Sequence, residues 1–231
     1  MPEIRILSDR VANQIAAGEV VERPSSALKE LIENSLDAKS TQIDIIVENG
    51  GKNLISVSDN GIGIHKDQIP LALERHATSK LHDNTLNKIE YLGFRGEALP
   101  SIAAVSELNL QSKFINSNQA WSLDVIAGNF NELYPSSLET GTKLSIKNLF
   151  FATPARLKFL KSSQVEKSYC HQVIQKMALV NPVVGFNFKA DGRELLNFKP
   201  ENKSSEIFLN RIRNLMGSSF ADEAIKIENS K

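Results

Sequence analysis

The stretch from Pro24 to Ala38 constrains the fold more than any other part of the chain. Proline is tolerated in a first helical turn, where its missing N–H would have no partner anyway, so Pro24 predicts a helix start. At 3.6 residues per turn, Leu28, Leu31, Ile32, Ser35 and Leu36 share one side and Glu30, Asn34 and Asp37 stack on the other. The first side must be buried, while the second carries carboxylate, amide, carboxylate. Taken alone, such an acidic face is what most solvated surface helices carry. Directly after it, Gln42 to Glu48 and Leu54 to Ser58 flank Asn49-Gly50-Gly51, whose preference for positive φ predicts an antiparallel hairpin turn. An apolar helix face followed by a hairpin asks for a helix packed on a sheet.

The rest of the pattern agrees. Ile4, Ile6 and Leu7 predict a short extended start, and Ser8 or Asp9 can cap a helix carrying Val11, Ala12, Ile15 and Ala16, with Gly18 as its stop. A short helix is expected around Ile69 to Ala77, then a polar, glycine-containing region of loop with helical pieces to Leu99. Leu108 and Leu110, then Trp121, Leu123 and Val125, then Leu144 and Ile146 alternate with mostly polar residues and predict three more strands. A helix from about Ser163 to Val180, with Val165, Tyr169, Val173 and Met177 near one face, leads to a hairpin turning at Asp191-Gly192. Lys199 to Ser205, with Pro200, reads as a linker before a last helix marked by Ile207, Ile212 and Leu215. Hairpins between helices, in place of strict strand-helix alternation, predict an α+β fold: a two-layer sandwich of a mixed, mostly antiparallel sheet with helices on one face. The expected division is one domain over 1–201 and the start of a second over 202–231.

Composition excludes several functions. With 27 basic and 27 acidic residues no bulk charge draws the chain to nucleic acid or anionic membrane, so any such contact is a local patch. One cysteine, Cys170, rules out an internal disulfide framework and fits a reducing cytoplasm. No run approaches the ~18 apolar residues of a membrane span. His65, His76, His82 and His171 offer no convincing metal-ligand spacing, so no zinc site is expected. Neither of the two commonest glycine-rich phosphate cradles is present.

Four short segments carry chemistry. Asp59-Asn60-Gly61-Ile62-Gly63 puts a carboxylate at a strand end, able to accept from an exocyclic amine, beside two glycines that let backbone pass close to a flat ring. Adenine satisfies both; a plain Asp/Asn turn is the other reading. Tyr91 to Leu99 holds Gly93 and Gly96 just ahead of a helix start, where backbone N–H groups can wrap phosphate oxygens. Thr78-Ser79-Lys80 offers hydroxyls and an ammonium, and Thr140-Gly141-Thr142 a hydroxyl at a strand entrance. Singly, each of these is also an ordinary connection.

Their order resembles the N-terminal part of the MutL family of DNA mismatch repair proteins, which belongs to the GHKL ATPases with DNA gyrase, sensor histidine kinases and the ninety-kilodalton heat-shock chaperones. The matching segments are Asn13 to Pro24, Lys29 to Ala38, Asp59 to Ile64, Arg75 to Lys80, Gly93 to Leu99, Gly141-Thr142 and Thr153 to Arg156. The resemblance implies ATP and Mg²⁺ as cofactors. It matches Glu30 to the general base and Asn34 to the amide on Mg²⁺. It matches Asp59 to the residue accepting from the adenine amine, with Gly63 lining the base and Thr142 nearby. Thr78 and Lys80, with the lid Gly93, Phe94, Arg95, Gly96, Glu97, Ala98 and Leu99, match the phosphate contacts.

It further implies that ATP orders the lid and the N-terminal segment, so that two copies dimerise into a clamp near DNA, working with a mismatch-recognition protein and downstream repair enzymes. Arg156, Lys158, Lys161, Lys167 and Lys176 form a basic run suited to weak, sequence-independent phosphate contact, or equally a solvated helix surface. Two functional classes follow: a slow Mg²⁺-dependent ATPase, or a nucleotide-gated interaction module without meaningful hydrolysis. About thirty residues follow the linker near Pro200, too few for the second domain that returns a lysine to the γ-phosphate in relatives. The chain is therefore expected to bind ATP, hydrolyse it poorly and be mainly monomeric without nucleotide.

Overall fold

A computed structural model describes Ile6, Gln14, Ile15, Ala17, Gly18 and residues 20–79, 96–201 and 206–225. The helix expected from proline and periodicity is present as α1 (Pro24–Asp37), with Leu28, Leu31 and Ile32 fully buried and Glu30, Asn34 and Asp37 half-buried on its other side. Next come β1 (Gln42–Glu48) and β2 (Leu54–Asp59), paired antiparallel from Ile43↔Asp59 to Glu48↔Leu54 around a short 3₁₀ turn over Asn49–Gly51. Asn49, Gly50 and Gly51 all have positive φ, as the turn chemistry predicts.

Two further 3₁₀ turns follow, Lys66–Gln68 just ahead of the stretch around Ile69 to Ala77 where the sequence pattern predicts a short helix, and Leu71–Leu73 within it. Glu74 is extended and His76 has φ +61°, so the backbone leaves helical space before a second turn can form. After α2 (Ala98–Ala104) come β3 (Glu107–Lys113), β4 (Ala120–Ile126), two short strands missing from the sequence pattern, β5 (Asn129–Phe130) and β6 (Tyr134–Ser136), and then β7 (Gly141–Lys147). A short helix α3 (Pro154–Phe159), also unanticipated, precedes α4 (Ser163–Val180), β8 (Gly185–Ala190), β9 (Arg193–Phe198), α5 (Ile207–Met216) and α6 (Ser218–Asp222).

The strands form one sheet in the order β5-β4-β3-β7-β2-β1-β8-β9, with β6 also pairing to β4. Every pairing is antiparallel except β1 with β8. Along β1 the buried residues Ile43, Ile45 and Val47 alternate with exposed Asp44, Ile46 and Glu48, so one sheet face is covered and the other solvated. The cover is α1 and α4, which pack on each other and on the sheet. This is the mixed, mostly antiparallel two-layer α+β arrangement expected.

The buried stripe of α4 is Glu166, Cys170, Ile174 and Ala178, displaced by one residue from the expected Val165, Tyr169, Val173 and Met177. Val165 is exposed, and Tyr169 instead lies under the guanidinium of Arg23, 4.6 Å from its ring centre. The burial of Glu166 explains the displacement, because its Oε1 accepts from the Lys161 N–H at 2.9 Å and caps the turn that enters α4. Its Cβ also sits against Gly50, so the hairpin turn nests on the helix. Arg211 of α5 is fully buried and fastens that helix to the sheet edge, its Nη2 donating to the carbonyls of Pro182 (2.7 Å), Val184 (3.1 Å) and Lys199 (2.9 Å).

Gly50 and Gly192 separate two costs. Both have left-handed φ, +67° and +77°, but an added Cβ at Gly50 would lie 2.6 Å from the Ser163 carbonyl oxygen, whereas at Gly192 nothing stands within 4 Å. Gly192→Ala should therefore cost only the backbone preference, about 1–2 kcal/mol. Gly50→Ala should cost at least about 1 kcal/mol more by forcing the hairpin off α4. Urea unfolding of both variants measures the difference.

Candidate functional site

The site is built where the end of β2 meets α1. Asp59, the last residue of β2, accepts a hydrogen bond from the Ser35 hydroxyl at 2.8 Å through Oδ2 and from the Gly61 N–H at 2.9 Å through Oδ1. Ser35 follows Asn34 on α1 and stands on the buried side of the helix, so a single short bond registers the strand end against the helix carrying Glu30 and Asn34. Ser35, Gly61 and the Thr142 backbone together take up three of the carboxylate's roughly four acceptor positions, which leaves room for one ligand donor. Burial pushes the Asp59 carboxyl above its ordinary value, while hydrogen bonds from the Gly61 backbone, the Ser35 hydroxyl and the Thr142 backbone pull against that rise.

Backbone closeness explains the glycines around Asp59. A Cβ at Gly61 would lie 2.6 Å from the Ala38 carbonyl oxygen at the end of α1, and the neighbouring Ile62 N–H donates to that same oxygen at 3.0 Å. Gly63 has φ +71° and a Cβ there would fall 2.1 Å from the Lys113 carbonyl oxygen. Asn60 does not face the site: its Oδ1 accepts from the Thr41 and Gln42 N–H groups and its Nδ2 donates to the Thr41 hydroxyl, which pins the start of β1.

Thr142 is the register partner of Asp59 across β2 and β7, and is buried. Its hydroxyl lies 3.0 Å from the Ser112 hydroxyl, which donates to the Gly141 carbonyl at 2.9 Å and accepts from the Ile64 N–H at 2.8 Å. No sequence motif singles out Ser112, or the hydroxyl of Ser35. Their signal is a small hydroxyl residue at an inward position of an otherwise apolar series, Leu108-Leu110-Ser112 on β3 and Leu28-Leu31-Ile32-Ser35 on α1.

Gly96, Glu97, Ala98 and Leu99 are half-buried at the entrance to α2, as is Thr78, and a Cβ at Gly96 would lie 2.6 Å from the Ala77 carbonyl oxygen. The His76 N–H donates to the Gly96 carbonyl at 3.2 Å and its Nδ1 stands 3.9 Å from Glu97 Oε1, so residue 76 is held against the entrance to α2. His76 thus braces the entrance to α2. Lys80, Gly93, Phe94 and Arg95 lie outside the described residues. Glu30, Asn34, Asp59, Gly63 and Thr142 are collected on α1, the end of β2, the loop after it and the start of β7.

Of the basic run, Arg156 turns inward and donates to the Val21 carbonyl at 3.2 Å, and Lys167 pairs with Asp191 at 3.1 Å. Lys158, Lys161 and Lys176 are exposed. Helical residues Gln14, Ile15, Ala17, Gly18 and Val20 stand ahead of α1 as a first helix, and with the Val21 N–H reaching the Ala17 carbonyl at 2.8 Å it continues past the glycine expected to end it.

Because burial raises the folded Asp59 value, the carboxyl favours folding below its ordinary value of 3.8, and that contribution is lost as pH rises through the folded value. Asp59→Asn is isosteric and can still accept from Gly61 and donate to Ser35. It should unfold at higher urea than the parent chain at pH 7, with the gap closing as pH falls towards 3.8. An equal gap at both pH values would mean that burial of the charge is not its cause.

Residues 22–147 match the family model of the histidine kinase-, DNA gyrase B-, and HSP90-like ATPases. The DNA mismatch repair protein MutL of Rickettsia felis is 47% identical over 226 residues, 97% of this chain and 37% of the relative, and that of Rickettsia conorii is 46% identical over the same spans. The chain therefore spans little more than a third of these relatives' length. Among solved structures, the Aquifex aeolicus MutL ATPase domain complexed with ADP superposes with a TM-score of 0.71 at 32% identity, covering 85% of this chain and 70% of that one. The N-terminal domain of a DNA repair protein gives a TM-score of 0.73 at 28% identity, covering 90% and 61%. The chain belongs to the histidine kinase-, DNA gyrase B- and HSP90-like ATPases and, within them, to the N-terminal ATPase regions of the MutL DNA mismatch repair proteins.

Proposed function

We propose that this region binds Mg²⁺-ATP between α1 and the loop after β2, hydrolyses it slowly, and serves as the ATP-gated dimerising part of a clamp that couples mismatch recognition to downstream repair. The observation that carries the reading is the Ser35–Asp59 bond, which ties a partly desolvated acceptor at the end of β2 to the α1 residue one place after Asn34 and five after Glu30. Asp59 would accept from the adenine amine, a choice that disfavours guanine because its corresponding edge is a carbonyl acceptor. Gly63 would pass against the base, with Thr142 beside it.

The donor set on α1 fits a hard cation shared with phosphates. The Asn34 amide oxygen is neutral and leaves most of the ion's charge for the triphosphate. When bound, Mg²⁺ supplies charge neutralisation at the phosphates. Glu30, one turn earlier, would accept the proton of the attacking water as its oxygen bonds to the γ-phosphorus and ADP departs. Thr78, Lys80 and the segment Gly93 to Leu99 would contact the phosphates, a role that rests on the motif resemblance. We assign residues 1–201 to the ATPase domain and 202–231 to the start of a second, transducer-like domain, whose α5 Arg211 fastens to the first. Sequence-independent DNA contact in the cytoplasm, through Lys158, Lys161 and Lys176, completes the reading. No helix among the described residues is long and apolar enough to cross a membrane.

Glu30→Ala should lower turnover by ~10²–10⁴-fold while nucleotide affinity stays within a few-fold, since a general base contributes to the transition state and little to ground-state binding. Single-turnover kinetics beside direct titration measures both, and parallel loss of binding would falsify that role. Asn34→Ala should weaken Mg²⁺-ATP by about ten-fold or more and metal-free ATP much less. Equal weakening with and without Mg²⁺ would remove Asn34 from the metal. Asp59→Asn should erase the preference for ATP over GTP, because an amide N–H₂ would then face the adenine amine.

A further inference from the structure

In sequence Arg156 belongs to an outward basic run, yet its guanidinium is packed on the first helix. Nη1 donates to the Val21 carbonyl at 3.2 Å, and Gly18 leaves it so little room that an added Cβ would fall 1.2 Å from Nη2. The guanidinium therefore occupies the space that any side chain at position 18 would fill. Gly18 lies in helical backbone, where alanine is normally preferred, so its lack of a side chain serves the contact and not the local conformation.

Only Glu22 and Arg23 separate the carbonyl that Arg156 holds from the first residue of α1. The Arg23 carbonyl accepts from Ser26 (3.0 Å) and Ala27 (3.3 Å) and starts the helix, while the Arg23 guanidinium lies over Tyr169 of α4. The entry to α1 is thus gripped on one side by α3 through Arg156 and on the other by α4 through Arg23. Glu30 follows two turns into α1, so a shift at its entry is carried along a rigid rod to the carboxylate.

We propose that Arg156 is a positioning residue of the ATPase site, locking the first helix against α3 so that α1 enters with the register that Glu30 needs. The proposal rests on Glu30 acting at the phosphate end of the site. A guanidinium is the fitting group because it donates in its plane while its flat faces lie against bare backbone. A lysine ammonium is a compact, strongly hydrated point charge that cannot fill the same slot.

The test uses Gly18→Ala, Arg156→Ala, Arg156→Lys and the Gly18→Ala/Arg156→Ala pair, with Glu30→Ala as reference. Gly18→Ala evicts the far end of a flexible side chain and breaks no backbone, so the chain should fold even where Arg156→Ala is weakened. Each of the three single changes should lower the single-turnover rate at saturating ATP by about ten-fold with nucleotide affinity changed less than about three-fold, as expected for small misplacements of a reacting group. Each should also speed amide exchange over residues 14–23. The double variant should match Arg156→Ala alone, because both changes remove one contact. Glu30→Ala should slow turnover without altering that exchange. A full rate in Gly18→Ala, or multiplicative losses in the double variant, overturns the proposal. Faster exchange with an unchanged rate shows a contact that only stabilises the fold and overturns it equally. Unchanged turnover in Glu30→Ala would instead remove the catalytic assignment on which the proposal depends.

Discussion

Burial of one face of α1 against the sheet is the constraint on which the site depends. Leu28, Leu31 and Ile32 are fully enclosed, and burying side chains of this size contributes roughly 1.5–3 kcal/mol each. That apolar contact fixes the helix in place but not its exact rotation, since a stripe of aliphatic groups tolerates small slides. The Ser35–Asp59 bond supplies the missing specificity. A polar pair at the margin of an apolar interface must meet its partner or lose its hydrogen bond, so it holds the helix and the strand end in one register. The groups proposed to act on the phosphates and the group proposed to read the base are thereby kept on a single rigid unit.

The same unit explains the glycines. Gly61, Gly63 and Gly141 stand where carbonyl oxygens of Ala38, Lys113 and Asp59 would meet a Cβ at 2.6, 2.1 and 2.0 Å. Close backbone approach around Asp59 is a property of the fold before any ligand arrives. Stability is given up there, because a carboxylate held partly away from water resists ionisation. A binding site that needs an acceptor in a partly dry place carries that cost in the free chain.

Charge tells a related story about surfaces and interiors. The chain has as many basic as acidic residues, and its one dense basic run is partly taken up internally. Lys167 pairs with Asp191, and Arg156 is spent on the first helix. A row of cations in sequence is not a row of cations in space when it crosses a turn between α3 and α4.

The sequence by itself determined the two-layer α+β plan, the limits of α1 and α4, both hairpin turns and the segments that carry the ATPase resemblance. These rest on signals that act within a few residues: proline at a helix start, glycine and asparagine at positive φ, and apolar periods of two and 3.6. Tertiary structure decided what those signals cannot encode. It rotated α4 by one residue so that Glu166 could cap its own entry, because two half-apolar stripes of that helix were equally eligible for burial. It confined the expected Ile69 to Ala77 helix to one 3₁₀ turn, Leu71–Leu73, and brought Ser112, Thr142 and Gly141 to Asp59 through strand register. It also placed Arg156 against Gly18, residues 138 apart in the chain, where no local rule predicts that a missing side chain on one is the space used by the other.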